Sequence, residues 1–248
     1  MVVFSTMQKT SIIVPLIPEH DREVLRLLRY LRPQEDYISE LIICRSETPE
    51  KQCPDVLRKY VRWAKKLNVN FSIELSSTPT KAYDGTNRNR GIDKATSDIL
   101  ICLDADDSYA ENMIKIIVES FEKTNCDAIL HNYTYELNQL SLVQSELPRF
   151  QYLAYPPEAS LMDFSVPIST TNNIEKPQIH HAHISFRKSQ VEERYTDIFP
   201  GADTEYCKRL IRNGKQVLYL DEEISFWNRK RSLRYKFRLA KIKFGLKK

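Results

Sequence analysis

A chain of 248 residues, 42% hydrophobic and 28% charged, has the length for one sizeable α/β domain and the composition of an ordinary globule. That excludes disordered and fibrous classes, and no apolar run approaches the ~20 residues that cross a bilayer. The net charge of +4 is unevenly divided: Arg229–Lys248 hold ten Lys/Arg and no Asp/Glu, which leaves 27 basic against 33 acidic residues in the body.

An acidic body argues against nucleic acid as a partner. The basic tail, 229–248, has two readings. One is peripheral contact with an anionic membrane, at about 1 kcal/mol per basic residue near the surface. The other is an extension packed on the body or leading to a partner. Its apolar residues Leu233, Tyr235, Phe237 and Leu239 fall on two sides of a helix, so a one-faced amphipathic helix is not expected. Five scattered cysteines without a CxxC suit a reducing compartment. The opening Met1-Val2-Val3-Phe4 lacks the basic flank of an export signal. A cytoplasmic location is expected.

The elements alternate through the first half. Ser11–Pro15 reads as a buried strand, and 19–31 as a helix with Val24, Leu27, Leu28 and Leu31 on one side. Residues 38–44 form a second apolar run and 55–67 a second helix. A third strand is expected over 69–75, a helix over 86–95, a doubly buried strand over 98–103, a helix over 112–121 and a strand over 126–130. This βαβ alternation implies a largely parallel sheet covered on both faces. Ligands then sit outside the carboxyl ends of the strands. Residues 145–178 lack periodicity and read as a binding loop. A strand over 179–187, a helix over 203–212 ended by Asn213-Gly214, and a strand over 216–220 complete the chain.

The chemistry concentrates at the end of the 98–103 strand, in Asp104-Ala105-Asp106-Asp107. Carboxylates clustered there need a counter-ion, and acidic oxygens suit Mg²⁺ or Mn²⁺, which also hold phosphate oxygens. Asp107 reads as the N-cap of the next helix. Upstream, Arg88 and Arg90 lie near a helix start, where guanidinium and helix N-terminus make an anion site. An exposed helix face is the alternative for both. His180-His181-Ala182-His183, read as strand, puts His181 and His183 on one face. No zinc spacing, Walker A, Gly-x-Gly-x-x-Gly or Gly-x-Ser-x-Gly is present.

Asn87-Arg88-Asn89-Arg90-Gly91, then Ala95-Thr96-Ser97-Asp98, then Asp104-Ala105-Asp106-Asp107 resemble, in order and spacing, the signature of inverting glycosyltransferase family 2, which has the GT-A fold. Ser11–Pro15 is similar to that family's first strand, and Gly201-Ala202-Asp203 to Leu210 to its Glu-Asp helix. The resemblance implies a nucleotide-diphosphate sugar as donor, with UDP as the default, and a Mn²⁺ or Mg²⁺ ion. It implies one GT-A domain over 1–228, with a nucleotide and metal half (10–135) and an acceptor half (136–228). The loop opened by Pro15, Leu16 and Glu19 would hold the base. Asp104, with Ala105 beside it, would hold base or ribose, and Arg88 would lie near the nucleotide. Asp106 would bind the metal, with His183 a candidate second ligand, and a polar strand end near the acceptor is the alternative for His183. Asp203 would be the general base on the acceptor hydroxyl, against the alternative of a helix N-cap. Whether the acceptor is a glycan, a lipid-linked group or a protein stays open.

Three positions depart from the family. Cys44-Arg45-Ser46-Glu47 stands where an Asp-Asp-x-Ser usually holds the base, so Arg45 takes that place. Pro18 replaces a polar residue, and Ala202 replaces the Glu before the base. Two other classes remain at this stage. One is a sugar nucleotidyltransferase, which the missing Gly-rich opening disfavours. The other is an inactive binding module that uses the basic tail for RNA or membrane.

Overall fold

The computed structural model describes residues 8–46, 54–78, 84–135, 150–163, 165–171, 177–198 and 201–227. The tail over 229–248, Glu47 and Cys53 lie outside them. In chain order come β1 (Thr10–Leu16), α1 (Glu23–Leu31), β2 (Ile38–Ser46), α2 (Pro54–Leu67), β3 (Ser72–Thr78), α3 (Asp84–Lys94), β4 (Ile99–Cys102) and β5 (Ser108–Tyr109). There follow α4 (Met113–Lys123), β6 (Ala128–Thr134), β7 (Phe150–Ala154), β8 (Ser169–Thr170), β9 (Ser185–Arg187), α5 (Ala202–Arg212) and β10 (Val217–Phe226).

The strands form one sheet in the order β3-β2-β1-β4-β9-β6-β10-β7-β8, with β5 paired to β10. Strands β3, β2, β1 and β4 run parallel, as do β6 and β10. β9 lies antiparallel between β4 and β6. This insertion decides where the site falls. Because β9 runs backwards, the segment that precedes it arrives at the carboxyl ends of β4 and β6.

Both faces of the sheet are dry. Ile12, Val14 and Leu16 of β1 pack on one side with Leu27 and Leu28 of α1, Tyr60 of α2 and Ile117 and Phe121 of α4. Ile13, Cys44 and Cys102 pack on the other with Ile92 of α3 and Tyr206, Cys207 and Leu210 of α5. Burial on both faces explains why these strands read as continuous apolar runs rather than alternating ones. The closest approach is at Gly91: a Cβ there would stand 2.4 Å from Ile13 Cγ2 and 3.2 Å from Cys44 Sγ. Only a glycine lets α3 lie this low on β1 and β2.

The expected alternation is observed, with shifts that have local causes. The 19–31 helix divides into a 3-10 turn, Pro18–His20, and α1. The third strand starts at Ser72 rather than 69, because Asn68 ends α2 in the left-handed region at φ 53°. The helix expected at 112–121 is α4, and its N-cap is Asn112, not Asp107. The strand expected over 126–130 begins at Ala128 and extends to Thr134, and the one over 216–220 extends to Phe226 past an irregularity between Leu220 and Ser225. The strand expected over 179–187 is confined to Ser185–Arg187. The α5 helix ends as expected: Gly214, at φ 83°, lets its own N–H and that of Lys215 reach the carbonyls of Ile211 and Leu210.

Candidate active site

The turn after β4 is fixed from three sides. The Asp107 N–H donates to the Asp104 carbonyl at 3.4 Å. Arg26 of α1 donates to the Asp106 carbonyl at 2.5 Å, and the Tyr109 hydroxyl donates to the Asp104 carbonyl. The antiparallel pairing of β5 with β10 then anchors the exit of the turn. Ala105 is buried in the core, which leaves the flanking Asp104 and Asp106 half-buried at the sheet edge.

Arg88 joins the two halves of the chain at this edge. It sits on the second turn of α3, 1% exposed, with its guanidinium 5.4 Å from the Tyr195 ring centre. Its Nη2 donates to Asp104 Oδ1 at 2.8 Å and its Nη1 to Asp203 Oδ1 at 2.5 Å. Asp203 lies in the first turn of α5, whose N-cap is Gly201 at φ 109°, so the N-cap alternative for Asp203 is corrected. Tyr206 and Leu210 of α5 face the core. Arg88 is not on an exposed helix face. Arg90 has a structural role instead, donating to Asn87 Oδ1 and Ser76 Oγ and tying α3 to β3.

Charge is badly balanced here. Asp84 at the start of α3 lies within electrostatic reach of Asp106 and Asp203. Burial, only partly offset by Arg88, holds the Asp104 carboxyl well above the usual carboxylate range, and Asp107, Asp203 and Asp106 add to the push. Burial would also depress the Arg88 charge, but Asp203 and Asp104 keep it firmly protonated. Four acidic side chains crowd one guanidinium, which pushes Asp84 and Asp104 toward their neutral forms, and a donor set of oxygens alone suits Mg²⁺ or Mn²⁺.

Along the edge, Pro15 and Leu16 are buried at the end of β1, and Glu19 is exposed on the 3-10 turn. Arg45 at the end of β2 is 1% exposed and bidentate on Asp21, with Nε at 2.9 Å and Nη2 at 3.1 Å. The Tyr60 hydroxyl donates to the same Asp21 at 2.7 Å. Arg45 is thus buttressed by an ion pair, and Asp21 enters the region where the family's Asp-Asp-x-Ser would stand. Nothing in the sequence pattern pointed to Asp21 or Tyr60.

The histidines do not sit as a strand would place them. Residues 180–183 form a turn, the His183 N–H donating to the His180 carbonyl at 3.1 Å. His180 and His183, not His181 and His183, therefore share a side, with parallel rings whose centroids are 3.6 Å apart. Both reach Asp107 Oδ2, at 3.0 Å from His180 Nε2 and 3.2 Å from His183 Nε2. Burial would raise the Asp107 carboxyl, yet hydrogen bonds from the two imidazoles hold it far below the usual range. Among the described residues, Asp107, His180 and His183 are the carboxylate–imidazole group whose ligand atoms lie within 4.8 Å of one another. Asp106 is outside it. His183 lies on Asp107 rather than on Asp106, because the turn aims both imidazoles at the buried carboxylate.

The model of glycosyl transferase family 2 matches residues 11–192, from β1 through β9. The chain belongs to that family. A comparison with curated proteins found none that matches. Among solved structures it is similar to the crystal structure of S. aureus TarS 1-349, with a TM-score of 0.58 at 15% identity over 95% of this chain and 65% of that one. It is also similar to TarS 1-349 in complex with UDP, with a TM-score of 0.57 at 16% identity over 89% of this chain and 60% of that one. The complex of TarS 1-349 with UDP-GlcNAc gives 0.56 at 14% identity over 89% and 58%. These likenesses confirm the GT-A fold. The chain spans less than two thirds of the length of the TarS structures it matches.

Proposed function

We propose that this glycosyltransferase moves a sugar from a nucleoside-diphosphate sugar to an acceptor hydroxyl by direct displacement, with inversion at the anomeric carbon. The observation that carries the reading is the Arg88 bridge. It sets Asp104, on the donor side of the fold, and Asp203, on the acceptor side, on the two arms of one guanidinium.

Asp203 is the general base. Arg88 engages its Oδ1, and Oδ2 is the atom that takes the acceptor proton as the new glycosidic bond forms. The glycosidic bond to the diphosphate breaks, and the leaving group departs with the bonding electrons. Asp104 and the loop opened by Pro15, Leu16 and Glu19 hold the nucleoside, with Arg45 fixed beside them by Asp21. Asp106 would hold a divalent cation, which when bound neutralises the leaving diphosphate. The crowding of acidic groups around Arg88, which raises the Asp104 carboxyl, supports that cation. The TarS complexes with UDP and UDP-GlcNAc, on the same fold, support UDP as the first donor to try. A basic tail and an otherwise acidic chain support peripheral attachment to an anionic membrane from the cytoplasm.

The test is thermal-shift screening against UDP-, GDP-, TDP- and CMP-sugars with Mn²⁺, beside Asp106→Ala. A donor at one hundred times its dissociation constant adds about 2.7 kcal/mol of stability. A metal-dependent shift with one nucleotide, lost in Asp106→Ala, is the expected result. No shift with any of them would sink the donor reading, and a product retaining the donor's anomeric configuration would sink inversion.

A further inference from the structure

Two buried imidazole nitrogens beside the Asp107–His180–His183 cluster have no hydrogen-bond partner among the described residues. His131 on β6 and His183 are both fully buried, with ring centroids 5.8 Å apart. His131 Nδ1 lies 2.7 Å from the Asn132 carbonyl, so it carries the proton and leaves Nε2 a bare acceptor. His183 Nε2 lies 3.2 Å from Asp107 Oδ2, so as a hydrogen bond it carries the proton and leaves Nδ1 a bare acceptor too. Among the described residues, neither His131 Nε2 nor His183 Nδ1 has a hydrogen-bond partner. Two lone pairs on neighbouring rings cannot satisfy each other, and each is a buried acceptor left without a donor. Asp107 Oδ2, meanwhile, receives both imidazole N–H groups on one oxygen.

We propose that Asp107, His180 and His183 form a site for a first-row transition-metal dication, with Zn²⁺, Co²⁺ and Mn²⁺ preferred over Mg²⁺, separate from any cation held by Asp106. Ligand atoms bound to a dication at about 2.1 Å stand about 3.0–3.4 Å from one another. The oxygen-to-nitrogen distances of 3.0 and 3.2 Å already have that size. Two imidazoles and one carboxylate are a donor set that borderline metals take and Mg²⁺ does not.

Occupancy reverses the proton placement without changing the number of protons. With the metal on His183 Nε2, the proton moves to Nδ1, and a turn of the ring is needed to bring that N–H towards the bare Nε2 of His131, whose ring centroid lies 5.8 Å away. That is the outer hydrogen bond which metal-bound imidazoles normally make. The rings now lie 6° from parallel, so binding turns them apart until their Nε2 lone pairs converge on the ion. The site lies where the turn after β4 meets the segment before β9, and it needs no nucleotide.

The full-length protein, stripped with chelator and free of nucleotide, is titrated with Co²⁺ and Zn²⁺, and retained metal is counted by elemental analysis after gel filtration. The expected result is one equivalent retained by the wild type, with visible Co²⁺ bands that excess Mg²⁺ does not erase. Retention should persist in Asp106→Asn and weaken at least tenfold in His180→Gln and His183→Gln. His180 is at the rim of the cluster, so its variant stands in if the one at buried His183 does not fold. A wild type that retains no Co²⁺ or Zn²⁺, His180→Gln retention equal to wild type, or loss of metal in folded Asp106→Asn would each overturn the proposal. Because nucleotide is absent throughout, these outcomes are independent of the donor reading.

Discussion

Arg88 shows how much one side chain can do when its position is enforced. A planar fork of donors spans two carboxylates at once, and a lysine, with one point charge, cannot. Arg88→Lys should therefore release either Asp104 or Asp203 into an environment already crowded with negative charge. The expected cost is about 1–3 kcal/mol in a urea titration, with weaker donor binding as well. An Arg88→Lys protein as stable as wild type would show that the bridge is incidental. The residues of this bridge were singled out in the sequence because each falls on a motif that resembles the family's, at the end of a strand or the start of a helix. Asp107 and His180 were not. The repeat His-His-Ala-His matches a strand's period of two, and only the turn, with its offset of three, brings His180 and His183 onto one carboxylate. Arg45 was visible as a departure from the family, but its partners Asp21 and Tyr60 come from α1's approach and α2, which no local pattern joins.

At the scale of elements, α3 is the piece on which the site depends. Its second turn carries Arg88, and its third carries Gly91 pressed against Ile13. Gly91→Ala sets a methyl 2.4 Å from a Cγ2 in a strand that is buried on both faces, so neither partner can yield. Overpacking of this kind costs about 1–3 kcal/mol. The α3 helix must lift, and Arg88 lifts with it. Stability and transfer activity should fall together, and trimming the opposing side chain in the double variant Gly91→Ala/Ile13→Ala should be less destabilising than the two single changes added. Strict additivity of the two would refute close packing as the cause. Elements of this parallel core were readable because double burial writes long apolar runs. The β5 and β9 strands escaped or shrank because two or three residues carry no period, and because their pairing is set by distant strands. The late start of β3 escaped because it depends on one left-handed Asn68.

On the scale of the molecule, the proposed division into a donor half and an acceptor half is not a division of folding. The sheet is continuous through both. Residues of the first half, in β4 and β6, are neighbours only through β9 of the second, and β6 is flanked on its other side by β10. A fragment ending at residue 135 lacks both strands. It would leave β4 and β6 with unpaired edges and expose Ile129 and Leu130, whose burial those partners complete. It should aggregate or stay molten, and the intact chain should unfold in one cooperative step. The two tryptophans make this measurable, since Trp63 packs against the core from α2 and Trp227 follows β10, toward the opposite end of the strand order. Single-tryptophan variants, Trp63→Phe and Trp227→Phe, should unfold at a midpoint that matches each one's own far-ultraviolet signal. If Trp63 instead reported a transition well separated from that signal, the donor half would be a folding unit of its own. The Arg88 bridge would then be a contact between domains rather than a contact within one.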